Sequence, residues 1–501
     1  MKKKIALISV SLIGAACVGL CACSGYDNGD NWGAPNAPND FAAGNYDYNS
    51  VIENGFKTVD DEPSSYFSLD RNTATYSLVR RQINKGMQIA PDSVRIEEMI
   101  NYFGYDFAAP ADKAVEVSSY IAPCPWNEEN YLMLAGVKTA EYNLENENCN
   151  YVFLIDVSGS MGGEDRIGLA KHGICKLVDG LGANDVVSLV TYASGVKTVL
   201  DGKECTADNK TAIKNAVNGL VAKGATNGGD GLERAYGLAQ NRFIAGGNNR
   251  VILISDGDFN VGMTSQSALK EFIQEKAESG IYLSVLGVGM GNTRDTILET
   301  LATCGNGNYA YLDNRTEAEK VFVKELYGTL KTVAKDAKAG VTFTENVEKY
   351  RLIGYDTKII SSDDFDDETA DAGEIGSNLC VAALYEVKLT EFYMSDEVGA
   401  DAKLADIEIR YKDVRTAEEF SDSVKSEVCL EASLSDNEDF KFITCVAEFG
   451  LLLRQSAYKG NASFENVKSR LEDLSSYTAA DPLKREFVSL VGAAAANPYY
   501  R

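Results

Sequence analysis

Between residues 150 and 335 short apolar runs alternate with amphipathic ones, and that alternation limits the fold more than any other feature. YVFLID (151–156), VILISDG (251–257), IYLSVLGVG (281–289) and NYAYLD (308–313) have the length and β-branched or aromatic content of buried strands. Between them RIGLAKHGICKLVDGL (166–181) places Ile167, Ala170, Ile174, Leu177, Val178 and Leu181 on one helical face. TAIKNAVNGLVA, SALKEFIQEKAESG, TRDTILETLATC and TEAEKVFVKELYGTLKTVAKD (316–336) read as further helices. Alternation of this kind gives an α/β fold, a doubly wound and mostly parallel sheet covered by helices on both faces. VVSLVTYASGVKTVL (186–200) reads as a hairpin about Ala193-Ser194-Gly195, which adds one antiparallel edge strand.

The flanks have a different pattern. TYSLVRRQINKGMQI (75–89) and PDSVRIEEMINYF (91–103) are helical, the second with Asp92 or Ser93 as a cap, and VEVSSYIA and YLMLAGVK follow as strands. Beyond Asp336, VTFTENVEKYRLIGYD, CVAALYEVKLTEF and LADIEIRYKDV are strand-like, with the acidic SSDDFDDETADAGEIGS between the first two. FKFITCVAEFGLLLRQSA, SFENVKSRLEDL and PLKREFVSLVGAAAA then close the chain as helices. Matching element types on the two sides predict that the α/β domain, 148–335, is inserted into one flanking α+β module. Its parts are an N-terminal region (56–147), a β-rich region (336–435) and a C-terminal helical region (436–501). With 501 residues, the chain is too long for one core.

Met1-Lys2-Lys3-Lys4 followed by IALISVSLIGAACVGL reads as a secretory signal, its apolar run short for a membrane span. Leu20-Cys21-Ala22-Cys23 resembles the cleavage pattern of bacterial lipoproteins, which implies processing after residue 22 and acylation of Cys23. Gly14 stands where Cys17 would need an aliphatic residue, and bulky Leu20 directly precedes Cys21. Residues 24–55, rich in Asn, Asp, Gly, Ala and Pro, form a flexible linker from membrane to folded part. The expectation is a lipid-anchored protein of the bacterial envelope, the outer membrane favoured over the inner.

The formal charge of −26 excludes a nucleic-acid binder, which needs clustered Lys and Arg, and removal of the signal with its three lysines makes the balance more negative. The single histidine, His172, excludes zinc sites of the HExxH type and lies on the polar side of its helix. Eight cysteines follow the signal, none in CxxC; Cys175 and Cys445 fall on apolar helix faces, where buried free thiols are expected.

In a doubly wound sheet, ligands sit at the carboxyl ends of the strands where strand order reverses. Asp156 and Asp256 end two strands and, if those are the central pair, project into that crevice. Ser158 and Ser160 follow in a Gly-bearing turn, and Thr226 lies in the Gly-rich loop VAKGATNGGDGL. Three hydroxyls and two carboxylates make an all-oxygen set suited to a hard cation such as Mg²⁺, with Ca²⁺ or Mn²⁺ as alternatives.

The pattern D-x-S-x-S, then Thr in a Gly-flanked loop, then Asp at the end of a central strand resembles the metal ion-dependent adhesion site of von Willebrand factor A domains. Asp156, Ser158, Ser160, Thr226 and Asp256 match it position by position. SYFSLDRNTATYSLVRR, TNGGDGLERAY, RVILISDGDFNVG, GNGNYAYLD, YRLIGYD and the C-terminal FGLLLR segment resemble a bacterial group of lipoproteins built on that domain. The resemblance implies that the hydroxyls bind the metal directly while the aspartates act largely through water. The metal then takes an Asp or Glu carboxylate from a protein partner, and the last helix of the domain couples to the ligand shift.

Other signals are weaker. DGDFN (256–260) mimics an EF-hand opening, but Val261 and Ser267 stand where that loop needs Gly and a bidentate Glu. LGVGMGN lacks the spacing and lysine of a phosphate loop. DDFDDE reads as a solvated loop, and Asp230 as a helix-start residue. The reading is therefore a binding protein, not an enzyme. A scaffold braced by its metal is the alternative, and a metal-assisted hydrolase is disfavoured because no general base accompanies the site.

Overall fold

The computed structural model describes residues 52–69, 71–141, 148–225, 229–257, 266–289, 295–325, 332–391, 402–415 and 420–500. Cys23 and the linker up to residue 51 lie outside the described residues, as does Thr226. Four strands precede the α/β segment: β1 (Lys57–Thr58), β2 (Ser64–Ser68), β3 (Val115–Pro123) and β4 (Tyr131–Thr139). The segment itself supplies β5 (Cys149–Asp156), β6 (Val186–Tyr192), β7 (Val196–Glu204), β8 (Asn248–Ser255), β9 (Ile281–Val288) and β10 (Tyr309–Leu312). After it come β11 (Thr332–Phe343), β12 (Val347–Ile353), β13 (Gly373–Gly376), β14 (Cys380–Leu389), β15 (Lys403–Asp413) and β16 (Phe420–Cys429).

The α/β segment forms a sheet in the order β10-β9-β8-β5-β6-β7. Its neighbours are parallel except β6 and β7, which form the expected antiparallel hairpin. Both faces are covered. Tyr151, Phe153 and Ile155 of β5 face a core shared with helices Ile167–Gly180 and Ala207–Asn218. Val152 and Leu154 face the opposite core, beneath helices Gly229–Asn241, Gln266–Glu278 and Asp295–Cys304. That two-sided burial is why the strands read as continuous apolar runs.

Two antiparallel sheets make up the flanking β part. One has the order β1-β12-β14-β4-β3; the other runs β13-β11-β15-β16, with β2 on β11. Strands from before and after the α/β segment pair directly, Val137 with Val381 and Phe67 with Ala339, so the domain is inserted into one module. Met133, Ala135 and Val137 of β4 enter the core between the two sheets. Leu132 and Leu134 face a second core built on helices Ala74–Asn84, Glu438–Arg454, Phe464–Asp473 and Pro482–Ala496. The flanking module is therefore three layers deep, helices on one sheet and that sheet on the other.

The structure corrects two local expectations and adds one strand. The closing helix does not run to Asp336: Arg315–Glu319 is α-helical, Lys320–Glu325 continues as a π-helix, and Thr332–Phe343 is strand β11. TVAKDAKAG has helix-forming alanines and lysines, but Val333, Ala334, Ala337, Ala339 and Val341 are buried between the sheets, and that burial outweighs propensity. PDSVRIEEMINYF is a 3₁₀ turn at Pro91–Ser93 and a short helix at Ile96–Ile100, broken by extended Val94. Neither Asp92 nor Ser93 caps that helix; the Ser93 hydroxyl donates to the Ala90 carbonyl. Finally, the polar segment FSDSVKSEVC forms β16, an edge strand whose pairing with β15 runs from Phe420 to Cys429.

The eight described cysteines are free thiols. Cys445 is buried as expected, whereas Cys175 is only half-buried, its thiol turned toward Asn218 at the helix rim. His172 places Nε2 2.8 Å from Glu319 Oε1, on the surface between two helices.

Candidate metal centre

The chain enters the α/β sheet at β5, next forms β6 on one side, and later returns to form β8 on the other. Strand order therefore reverses between β5 and β8, and the crevice opens at their carboxyl ends. Asp156 is the last residue of β5, and Asp256 directly follows β8. Both carboxylates lie in the fold's natural ligand position.

The loop after β5 is built around Asp156. Its Oδ1 accepts a hydrogen bond from the Ser158 backbone N–H at 2.7 Å, which turns the chain sharply. The turn brings Ser158 Oγ to 2.9 Å from Ser160 Oγ, so two hydroxyls meet beside the carboxylate. Ser158 is buried and Ser160 half-buried. Arg166 donates to the Ser160 carbonyl and braces the turn from behind. Gly159 donates its N–H to the Gly224 carbonyl at 2.9 Å, stitching this loop to the one that leads into Thr226. Gly224 has φ +93°, and a side chain there would strike Ser194 Oγ at 2.7 Å, so only glycine fits.

The electrostatics of the site are those of two acids held out of water. Asp156 Oδ2 and Asp256 Oδ1 are buried without a hydrogen-bond partner of good geometry. Burial pushes the Asp156 carboxyl up to about 6, and the neighbouring Asp256 charge adds to the rise. The Tyr192 phenol beside them is driven well above its ordinary range by burial and then by Asp156. Two buried acids facing one another at a strand switch point would be stabilised by a divalent ion. Among the described residues no three of His, Cys, Asp and Glu converge to hold a metal. A cation here would depend on the serine hydroxyls, as a hard, oxygen-only site requires.

The structure thus brings together Asp156, Ser158, Ser160 and Asp256; Thr226 lies outside the described residues, and Ala225 before it in sequence donates its N–H to Ser194 Oγ at 3.0 Å. Tyr192, Ser194, Gly224 and Arg166 support the site and escaped sequence reasoning. Each acts through a contact that the strand pattern does not encode. The other motifs stay apart from it. Asp363–Glu368 is used in helix capping, where Ser361 and Asp364 cap each other's ends, and in an Arg410–Asp366 ion pair. The rest of the DGDFN and LGVGMGN loops lies outside the described residues.

Comparison with known proteins agrees with this architecture. The von Willebrand factor type A domain family matches residues 150–325, and a further von Willebrand factor family matches 42–134. The family described as the C-terminal region of the uncharacterized protein YfbK matches 328–496. Uncharacterized protein YfbK of Escherichia coli K12 is 35% identical over 472 residues, covering 89% of this chain and 80% of that one. The chain belongs to the YfbK family of bacterial von Willebrand factor type A (VWA) proteins. Its VWA segment is also similar to inter-alpha-trypsin inhibitor heavy chain H3 of Mesocricetus auratus, 29% identical over 164 residues, or 32% of this chain and 18% of that one. Among solved structures, a von Willebrand factor type A protein from Catenulispora acidiphila aligns with 76% of this chain and 89% of its own, at 14% identity and TM-score 0.42. A VWA domain in a larger module supports a general role in adhesion or protein–protein interaction.

Proposed function

We propose that the protein is a lipid-anchored component of the bacterial envelope whose VWA domain binds a protein partner through a divalent cation, Mg²⁺ by preference. The observation that carries this reading is the pair of buried carboxylates of Asp156 and Asp256, each with an oxygen lacking a hydrogen-bond partner of good geometry, beside the joined hydroxyls of Ser158 and Ser160. Asp156, Ser158, Ser160 and Asp256, with Thr226, would hold the ion. When bound, Mg²⁺ supplies a coordination position open to an anionic oxygen. The chain's own residues do the rest. Ser158 and Ser160 offer neutral ligands, so the centre keeps its demand for a further anion. The Asp156 turn and the Gly159–Gly224 bond hold the two loops in register. A carboxylate from an Asp or Glu of the partner is the group that such a centre takes best. The signal-like N-terminus and Cys23 supply the anchor in this reading.

The test is calorimetric titration of the mature chain with MgCl₂. One saturable site is expected, absent in Asp156→Ala and in Ser158→Ala. If Asp156→Ala loses Mg²⁺-dependent thermal stabilisation while partner capture from envelope extract is unchanged, the metal braces the fold and the binding reading fails. In cells, Cys23→Ser should move the protein from the membrane to the soluble fraction; retention in the membrane would overturn the anchor.

A further inference from the structure

A groove of about 630 Å³ runs beside the candidate metal centre. One wall is the β6–β7 hairpin; the other is the end of helix Ala207–Asn218 and the segment after it. The groove and the centre share structure. Val157, which lines the groove, sits between Asp156 and Ser158. Its N–H bonds the Tyr192 carbonyl at 2.9 Å, and its carbonyl accepts from the Lys223 N–H at 2.6 Å. Ser194 and Gly224, also lining residues, lie against one another, and the Gly224 carbonyl accepts the Gly159 N–H of the Ser158–Ser160 turn.

The lining has an unusual charge. The chain carries a formal −26, yet among the described residues the ionisable side chains lining this groove are Lys197 and Lys223 alone. Both are exposed, and neither ammonium forms an ion pair among the described residues. Val199, Leu220 and Val221 line the same groove; Val221 is 66% exposed, an aliphatic side chain left in water at the groove wall. Cationic residues at a groove rim attract and orient an acidic partner, while exposed aliphatic surface gains by being covered.

We infer that this groove seats an extended segment of the partner protein that carries the metal-binding carboxylate, an adjacent apolar side chain, and a second acidic residue paired with Lys197 or Lys223. The inference rests on the metal-centre reading and deepens it by naming the chemistry of the segment. The metal takes one carboxylate and cannot choose among partners that offer one. The groove supplies the choice: a segment with a basic residue here would face two lysines, and a wholly polar one would leave Val221 uncovered.

The probe is a phage-displayed random dodecapeptide library, panned on the full mature chain in millimolar Mg²⁺ and eluted with EDTA. Enriched peptides should combine an acidic residue with a neighbouring aliphatic one and a second acid. By fluorescence anisotropy, such a synthetic peptide should lose about tenfold or more in affinity to K197E/K223E. It should also bind Val221→Asp more weakly. K85E/K459E, which makes the same change in charge at exposed positions elsewhere, should bind as wild type does. All substituted side chains are exposed, and unchanged melting temperatures would show that the variants fold. If Mg²⁺-dependent peptides emerge but bind K197E/K223E as well as wild type, the groove assignment is overturned and the metal reading stands. If no peptide elutes with EDTA, the metal reading itself fails and takes the groove with it.

Discussion

A buried carboxylate needs an answer to its lost water, and three residues here give three answers. Glu386 is fully buried and satisfied: Arg351 donates at 2.9 Å, Asn130 at 2.6 Å and Trp126 at 3.3 Å. Asp156 sits beside a second acid, Asp256, and two serine hydroxyls, the arrangement for which a cation is proposed above. Glu97 has neither solution, since its Oε2 is buried without a partner. Burial pushes the Glu97 carboxyl up to about 7, with Glu98 and Asp356 adding to the rise and Arg454 opposing it. The folded state therefore holds the Glu97 proton more tightly than the unfolded chain does. Its contribution to stability is full below pH about 4.5 and is lost as pH rises through about 7. Glu97→Gln removes that loss. Urea denaturation should find the variant more stable than wild type at pH 8 by on the order of 3 kcal/mol, with the advantage shrinking toward pH 5. An advantage independent of pH would refute the argument. At this scale the sequence was informative only where chemistry is local. Asp156, Ser158 and Ser160 sit within five residues and announce themselves, whereas Glu97 looks like an ordinary helix-surface acid until Asp356 arrives from far along the chain.

Helix Ala74–Asn84 shows what an element can do that a residue pattern does not reveal. Its Arg80 is buried, donating to Asp313 at 2.8 Å, to Glu317 at 2.7 Å and to Glu486 at 3.1 Å. One side chain thus joins the last helix of the VWA domain to the C-terminal helical layer. Arg81 adds a 2.7 Å pair with Asp165, in the stretch after the Ser158–Ser160 turn. Lys320, at the start of the π-helix, sits 3.8 Å from the centre of the Tyr102 ring. Arg80→Ala leaves Asp313 buried without its cationic partner and Glu317 with only Lys320 and the Tyr102 hydroxyl, and should cost roughly 3–5 kcal/mol in chemical denaturation at neutral pH. A loss under about 1 kcal/mol would place this network with exposed, weak ion pairs instead. Helix and strand types were readable from periodicity, since burial on one face or two leaves a regular imprint. The π-turn and β16 were not: the first depends on packing against the N-terminal helices, the second on backbone pairing that polar residues satisfy as well as apolar ones. Gly173 illustrates the same limit. A Cβ there would lie 2.1 Å from the Phe322 ring, so this glycine lets the first and last helices of the domain approach.

For the whole molecule, the insertion divides the chain into parts with different dependence on one another. The VWA sheet is made from one continuous stretch, β5 to β10. The flanking sheet is not, because β4 lies between β3 and β14, and the strand on one side comes before the insert while the other comes after it. A chain ending at residue 335 keeps β3 and β4 but loses β14, the second sheet and the C-terminal helices, which together bury both faces of β4. Such a truncation should be largely insoluble, whereas residues 148–335 alone should give a cooperative melt; a soluble, monomeric 52–335 fragment would contradict the layered account. Fold class and insertion were legible because the pattern of elements changes twice along the chain. The depth of the flanking module was not, because which sheet face meets which layer depends on pairings such as Val137 with Val381.

That pairing also sets a timetable. A ribosome delivers Val137 long before Val381, and the whole VWA segment emerges in between. The insert can be finished while β3 and β4 still wait as a lone hairpin, marginal by itself in water. The outer layers close only when almost the last residue has arrived, so the protein's own shell is the final thing it makes.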